Sequence, residues 1–414
     1  MPKLRPSPKA DQSALAAAAP VEPKWLVPFF WRAFSDKYRA LLWHAPSRGA
    51  TLRDAAFRLG LWGANQLGWG LDNILAPGWR HTPLGTVVFI VGHQRSGTTL
   101  LHRALAASHP DLTATPFAAM LLPAVTWRRL ARQLYSELGP LSRRLRAVLH
   151  ARQAARFGRL DSIHRLRLQE AEEDEFILWS IFASGMCAND GPHAMSRPEL
   201  DWLRDFDLWS SRRQRAALGY YAACLRKTLH HTGAQAPVAK NPAFSGKMPK
   251  LRRAFPGAKF IYLVRDPLKA IPSRLSLIQA IWQLRFGNHQ VLQPHHVETI
   301  YRDSVRTYEA AEAGLAALPE SARLVLPYPE LVADPAAALA RVHRHFDLPE
   351  PERLPVNARH DASRHRYEAR DFGLDPQRIK RDLAWVYERY PGLPEGHAPS
   401  PAAEAAAAAQ TPAQ

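Results

Sequence analysis

The sequence predicts an α/β fold built on a parallel sheet with helices on both faces. Three observations predict it. Short apolar runs with strand character alternate with longer helical patterns, the order expected when crossover helices join parallel strands. One of these runs, Thr86-Val87-Val88-Phe89-Ile90-Val91, passes through a glycine-bounded loop directly into a helical segment that begins Leu100-Leu101-His102. A second run, Lys259 to Val264, ends in Arg265-Asp266-Pro267 and is followed by Ser273. Parallel sheets bind ligands beyond the carboxyl ends of their strands, where both of these segments lie.

The strands expected from apolar runs are 86–91, Leu112 to Thr115, Pro237 to Lys240, 259–264 and Arg323 to Leu326. The segment 117–232 reads as a large, mostly helical insert. Residues 24–80, rich in Leu and aromatic residues, read as a helical N-terminal collar packed on the core, with contact to a membrane interface as the alternative. An α/β unit is expected over 81–397. Residues 1–23 are rich in Pro, Ala and Lys, and 398–414 are an Ala/Pro/Gln tail; both read as disordered. Asp375-Pro376 opens a last helix, with Asp at the N-cap and Pro in the first turn.

The loop Gly92-His93-Gln94-Arg95-Ser96-Gly97-Thr98-Thr99 has the frame of a Walker A motif. Its backbone N–H groups and the following helix N-terminus suit an anion. The slot that holds Lys in a triphosphate-binding loop is filled here by Thr98, which points to a nucleotide without β- and γ-phosphates. Arg95 supplies a cation from inside the loop. Arg265, at a strand end, and Ser273, eight residues on, offer a guanidinium and a hydroxyl suited to a second phosphate. Together these features predict a P-loop-like three-layer core.

The paired motifs resemble the sulfotransferases that use 3′-phosphoadenosine-5′-phosphosulfate, in particular a bacterial branch of that superfamily. The resemblance covers about residues 80–390 and includes Lys240-Asn241-Pro242, Glu173-Asp174-Glu175-Phe176, Tyr328-Pro329-Glu330-Leu331 and Ala333-Asp334-Pro335. It implies that Arg95, Ser96, Gly97, Thr98 and Thr99 hold the 5′-phosphosulfate, and that Arg265 and Ser273 hold the 3′-phosphate. It implies metal-independent in-line transfer of a sulfuryl group to a hydroxyl, or an amine, of an unidentified acceptor. No metal site is expected, and the insert is expected to help build the acceptor pocket.

Within that expectation Arg95 is an electrostatic clamp. Lys240 corresponds to a lysine that contacts the sulfuryl group in the animal cytosolic enzymes. Those enzymes carry a His two residues later, where this chain has Pro242, so the general base must come from elsewhere. Glu173, Glu175 and Asp174 are the candidates, since burial beside like charges raises a carboxylate toward useful basicity. His102 is an alternative that reads better as a packed neighbour. Arg364 and Arg366 add cations that a late loop would bring to the 3′-phosphate. Trp202, Trp209, Tyr220 and Tyr221 are either core or a stacking surface for an acceptor.

Two other functions fit parts of the pattern. A P-loop kinase or NTPase is disfavoured by Thr98, and a non-catalytic nucleotide-binding protein is left open by Pro242. The 55 basic and 37 acidic residues give a formal charge of +18. The arginines are scattered, which argues against nucleic acid and for a positive field that steers an anionic donor. No run reaches the ~18 apolar residues of a membrane span, and the first 24 residues lack the apolar stretch of a signal peptide. With only Cys187 and Cys224, no disulfide framework is expected and the cytoplasm is the expected compartment. Peripheral membrane contact and the oligomeric state are left open.

Overall fold

A computed structural model describes residues 27–44, 48–138, 166–189, 191–287, 289–353 and 367–393, together with 144, 147–148, 151–155 and 158. Five strands, β1 (Val88–Gly92), β2 (Leu112–Thr113), β3 (Ala236–Lys240), β4 (Lys259–Val264) and β5 (Arg323–Pro327), form one sheet in the order β2-β3-β1-β4-β5. Every pairing is parallel. The principal helices are α1 (Val27–His44), α2 (Arg48–Leu75), α3 (Thr98–Ser108), α4 (Val125–Glu137), α5 (Glu175–Trp179) and α6 (Ser211–Thr232), then α7 (Pro267–Phe286), α8 (Pro294–Ala316), α9 (Tyr328–Ala333), α10 (Pro335–Phe346) and α11 (Pro376–Asp382).

The strand residues account for the layering. Every residue of β1 and β3 is buried, as in strands covered on both faces, whereas the edge strand β5 alternates buried with half-buried positions. Successive side chains of a strand point to opposite faces. Val88 and Ile90 therefore join Leu101 and Leu105 of α3 and Leu339 and Val342 of α10 in one core layer. Phe89 and Val91 join Tyr221 and Leu225 of α6 and Tyr308 and Leu315 of α8 in the other. This is the expected three-layer α/β architecture. Asp375 caps α11 as its sequence signal implied, accepting from the Gln377 N–H at 2.9 Å.

The pair α1 and α2 packs on the insert. Phe30 and Tyr38 share a core with Phe182, Leu200 and Leu203. The Arg58 guanidinium of α2 lies 3.2 Å from the centre of the Trp179 ring. A buried ion pair ties α2 to α6: Lys227 Nζ is 2.9 Å from Asp72 Oδ2. The same carboxylate accepts from the N–H groups of Val125 and Thr126 and so caps the start of α4. Removing either charge would leave the other buried, so the pair fixes where α2, α4 and α6 meet. No helix among the described residues is long and apolar enough to cross a membrane.

Candidate functional site

β1 is the central strand, with β3 on one side and β4 on the other. The loop after it therefore emerges where the strand order turns back, the position at which open α/β sheets take ligands. Gly92 leaves the strand at φ 139°, and a Cβ there would come within 2.3 Å of the Leu263 carbonyl oxygen on β4. The Gly92 N–H donates to Ser245 Oγ at 3.0 Å, and that hydroxyl lies 2.7 Å from the Pro242 carbonyl. Arg95 sits in the left-handed region at φ 71°. The Ser96 N–H turns back to the His93 carbonyl at 3.3 Å. Gly97, at φ 85°, caps α3, and a Cβ there would meet the Tyr328 ring at 2.8 Å. The N–H groups of Leu100 and Leu101 donate to the Gly97 carbonyl at 3.0 and 3.3 Å, so the helix ladder begins at Gly97 and leaves the N–H groups of Thr98 and Thr99 ahead of it, at the positive end of the helix.

The second motif touches the first. Arg265 leaves β4 and donates from Nη1 to the Arg95 carbonyl at 2.8 Å. Arg95 donates from Nε to Ser273 Oγ at 3.0 Å. Asp266 caps α7, accepting from the Leu268 N–H at 2.9 Å and from the Tyr387 hydroxyl at 2.6 Å, and so fixes the helix that carries Ser273. The Arg265 guanidinium stacks on Tyr328, 4.1 Å from the ring centre. Burial first, and then the Arg265 charge, push the Arg95 guanidinium below its ordinary value. Two cations held this close make a site that gains from an anion.

Lys240 ends β3, paired in register with Ile90. Its ammonium is fully buried and donates to Thr99 Oγ1 at 3.0 Å and to Glu172 Oε1 at 2.8 Å. Glu173 Oε1 lies 3.5 Å away. The Asp174 N–H donates to the Lys240 carbonyl at 2.9 Å, which lays the acidic segment along the end of β3. A family model for the sulfotransferase family matches residues 87–352, a span that contains the 92–99 loop, the segment from Arg265 to Ser273, and Lys240. The chain is a member of the sulfotransferase family.

Over 329 residues this sulfotransferase is 27% identical to the omega-hydroxy-beta-dihydromenaquinone-9 sulfotransferase Stf3 of Mycobacterium bovis, covering 76% of this chain and 77% of that one. The Mycobacterium tuberculosis protein of the same name matches equally. In fold it is similar to the sulfotransferase STF1 of Mycobacterium tuberculosis, with a TM-score of 0.68 and 21% identity over 91% of this chain and 98% of that one. It is also similar to STF9 of Mycobacterium avium, with a TM-score of 0.64 and 17% identity over 94% and 98% of the two chains.

The loop also holds an unsatisfied donor. Ser96 Oγ is buried without a hydrogen-bond partner among the described residues. An acceptor oxygen from a bound group would satisfy it.

The three carboxylates expected as base candidates part company in the fold. Glu173 stays at the loop edge, partly exposed, near Lys240 and within electrostatic reach of Arg95. Asp174 does not reach that edge. It is fully buried, accepts from the Tyr221 hydroxyl at 2.5 Å, and burial pushes its carboxyl up to about 7. Glu175 is turned away as well: Ser184 donates to its Oε1 at 2.5 Å and Asn241 to its Oε2 at 2.8 Å. The backbone of β3 and the insert dictate these directions, so Asp174 and Glu175 face the core, and Glu173 alone of the three stays at the loop edge.

Glu172, passed over in the sequence, is the closest anion to Lys240. His102 packs as expected, with Nε2 3.0 Å from the Val238 carbonyl and its pKa pushed down to about 3 by burial. Tyr220, Tyr221 and Trp209 are core residues. Arg364 and Arg366 lie outside the described residues, as do 1–23 and 398–414.

Proposed function

We propose that this sulfotransferase moves the sulfuryl group of 3′-phosphoadenosine-5′-phosphosulfate to a hydroxyl on a lipid acceptor. The observation that carries the donor assignment is the contact between the two phosphate motifs, Arg95 with Ser273 and Arg265 with the Arg95 backbone. On this reading Arg95 to Thr99 hold the 5′-phosphosulfate, and Arg265 and Ser273 hold the 3′-phosphate. The donor supplies an activated sulfuryl group and a stable leaving phosphate. The transfer unit is 81–397, with 117–232 on its acceptor side and 24–80 as a collar.

The chain's own residues supply the rest. Arg95 and the Lys240 ammonium hold negative charge on the sulfuryl group and its bridging oxygen, inside a buried site where each charge acts strongly. The loop fixes the sulfur in line with the acceptor oxygen. Glu173 takes the proton released by the acceptor hydroxyl. The sulfur–oxygen bond to the acceptor forms as the bond to the nucleotide phosphate breaks, leaving the bisphosphate nucleotide and a sulfate ester. A lipid acceptor is supported by the name of the mycobacterial relatives, which sulfate a menaquinone derivative. The two buried free thiols, Cys187 and Cys224, suit the cytoplasm.

The test is a transfer assay with the donor and a panel of hydroxylated quinones, sterols and glycosides, read by the mass of the product. Sulfation of a hydroxylated lipid supports the reading. Turnover on glycosides alone overturns the lipid assignment, and turnover with ATP and Mg²⁺ in place of the donor overturns the donor assignment.

A further inference from the structure

One face of α8 grips the segment from Arg265 to Arg274 at both ends. Ile300, Ser304 and Tyr308 recur at four-residue steps, the spacing that lines up one side of a helix, and all three are buried. Ser304 Oγ accepts from Arg274 Nη1 at 2.9 Å, and the Ile300 carbonyl accepts from the same nitrogen at 3.3 Å. Arg274 Nη2 lies 3.9 Å from Asp303 of the same helix. Arg274 directly follows Ser273, so these contacts fix the turn of α7 from which Ser273 reaches Arg95. One turn further along α8, the Tyr308 hydroxyl donates to the Arg265 carbonyl at 2.9 Å. Burial first, and then the nearby Asp266 charge, push that hydroxyl well above its ordinary value, so it stays a donor. The bond holds the main chain where it leaves β4, and with it the direction in which Arg265 projects.

The same tyrosine meets the loop after β1. The His93 and Tyr308 rings stack, with centres 5.1 Å apart and planes 13° from parallel. His93 Nδ1 lies 2.5 Å from the Gln94 carbonyl, which assigns the ring proton to Nδ1. Burial first, and then the Arg274 charge, push the imidazole down to about 3, so the ring is neutral. Its Nε2 is buried without a hydrogen-bond partner among the described residues, which leaves the stack as the ring's tie to α8. The contacts close a circuit. His93 stacks on Tyr308, Tyr308 holds the Arg265 carbonyl, and Arg265 Nη1 returns to the carbonyl of Arg95, two residues beyond His93. Buried contacts that lock one another in this way hold a site to a fixed geometry.

We propose that Tyr308, stacked on His93 and seconded by Ser304, is a positioning residue that sets the separation between the 92–99 loop and the pair Arg265 and Ser273, and so favours a nucleotide with two separate phosphates over one with a 5′-phosphate alone. The proposal rests on the donor reading above, in which the loop holds the 5′-phosphosulfate and Arg265 with Ser273 the 3′-phosphate. Tyr308 acts through Arg265: its hydroxyl is engaged by the Arg265 carbonyl and its ring is covered by His93. Ser304 acts in the same manner through Arg274 on the segment that carries Ser273.

The experiment is titration calorimetry of the full chain with 3′-phosphoadenosine-5′-phosphate and with 5′-adenylate, which lacks the 3′-phosphate. The ratio of the two affinities reads the 3′-phosphate site alone. Tyr308→Phe keeps the ring and its stack and removes only the hydroxyl. It should lower the ratio by roughly three- to ten-fold, the size expected for one hydrogen bond, with the affinity for 5′-adenylate unchanged. Ser304→Ala should lower the ratio as well. Tyr301→Phe is the control. It removes a hydroxyl of the same helix that donates to Asp382 at 2.6 Å, and it should lower the thermal unfolding midpoint without moving the ratio. The midpoints also show which variants are folded; if Tyr308→Phe is not, Ser304→Ala decides. A ratio equal to the parent's in the deciding variant, or a Tyr301→Phe ratio that falls as far, would overturn the proposal while leaving the donor reading in place. A parent that binds neither nucleotide would overturn the donor reading, and the proposal with it.

Discussion

Arg95 holds a left-handed backbone, at φ 71°, that L-residues with a side chain adopt at a cost of about 1–2 kcal/mol. That strain sits in the loop between β1 and α3, the proposed donor site, the kind of place where it is stored when the surrounding structure over-determines it. Arg95→Gly removes the strain, and it also removes the Nε bond to Ser273 and the charge beside Arg265. Arg95→Ala loses the same bond and charge but keeps the strained backbone. The difference between the two variants isolates the strain. The extra freedom of glycine in the unfolded chain returns about 0.4–1 kcal/mol of the gain. Arg95→Gly should therefore be more stable than Arg95→Ala by about 0.5–1 kcal/mol. Urea unfolding reads this as a shift in midpoint at a common slope. Both variants should lose turnover by about 10²–10³, the cost of one donor aimed at developing charge. An alanine variant at least as stable as the glycine variant would refute the strain argument. Turnover within a few-fold of the parent in either variant would remove Arg95 from the clamp.

Glu173→Gln should cut turnover about 10²-fold with donor affinity unchanged, whereas Glu175→Gln should cost about 1–3 kcal/mol of stability through its Ser184 and Asn241 bonds and leave turnover close to the parent; the reverse pattern in paired kinetics and unfolding would exchange their roles. Lys240→Met breaks the buried pair with Glu172 and should cost about 3–5 kcal/mol, and K240M/E172Q should recover much of that stability without recovering turnover; a double variant as unstable as the single one would show that the pair is not what holds the segment. Asp174 is pushed up to about 7 by burial, so between its unfolded value near 4 and about 7 the native state binds a proton that the unfolded chain releases. Its contribution is fully present below about pH 4 and is lost as pH rises toward 7, by up to about 4 kcal/mol. Asp174→Asn keeps an acceptor for the Tyr221 hydroxyl and should flatten that part of the profile; unfolding curves at pH 5 and pH 8 that fall equally in both proteins would contradict it.

The parts of the fold read from sequence are those set by local pattern. β1, β3 and β4 are continuous apolar runs because both of their faces are covered, and they end where Gly92, Lys240 and Arg265 were expected to leave the sheet. Boundaries moved where pairing rather than hydrophobicity decides them. Thr86 and Val87 precede the first register pair, Val88 with Lys259, and β2 stops at Thr113 instead of reaching Thr115. The loop was legible because Gly92 and Gly97 answer to backbone geometry.

What sequence did not give is the direction of each carboxylate in the run from Glu170 to Glu175. Neighbours in such a run look alike. Their environments come from residues far along the chain, Lys240 for Glu172, Tyr221 for Asp174 and Asn241 for Glu175. The pair of Asp72 with Lys227 was hidden for the same reason, since no local spacing links α2 to α6.

The most direct test is titration calorimetry with 3′-phosphoadenosine-5′-phosphate. The parent should bind it without added Mg²⁺, and Arg265→Ala should weaken binding by several kcal/mol, as when one partner of a buried charge contact is removed. No binding by the parent, or equal binding by parent and variant, would contradict the account that Arg95 and Arg265 meet around one bisphosphate nucleotide.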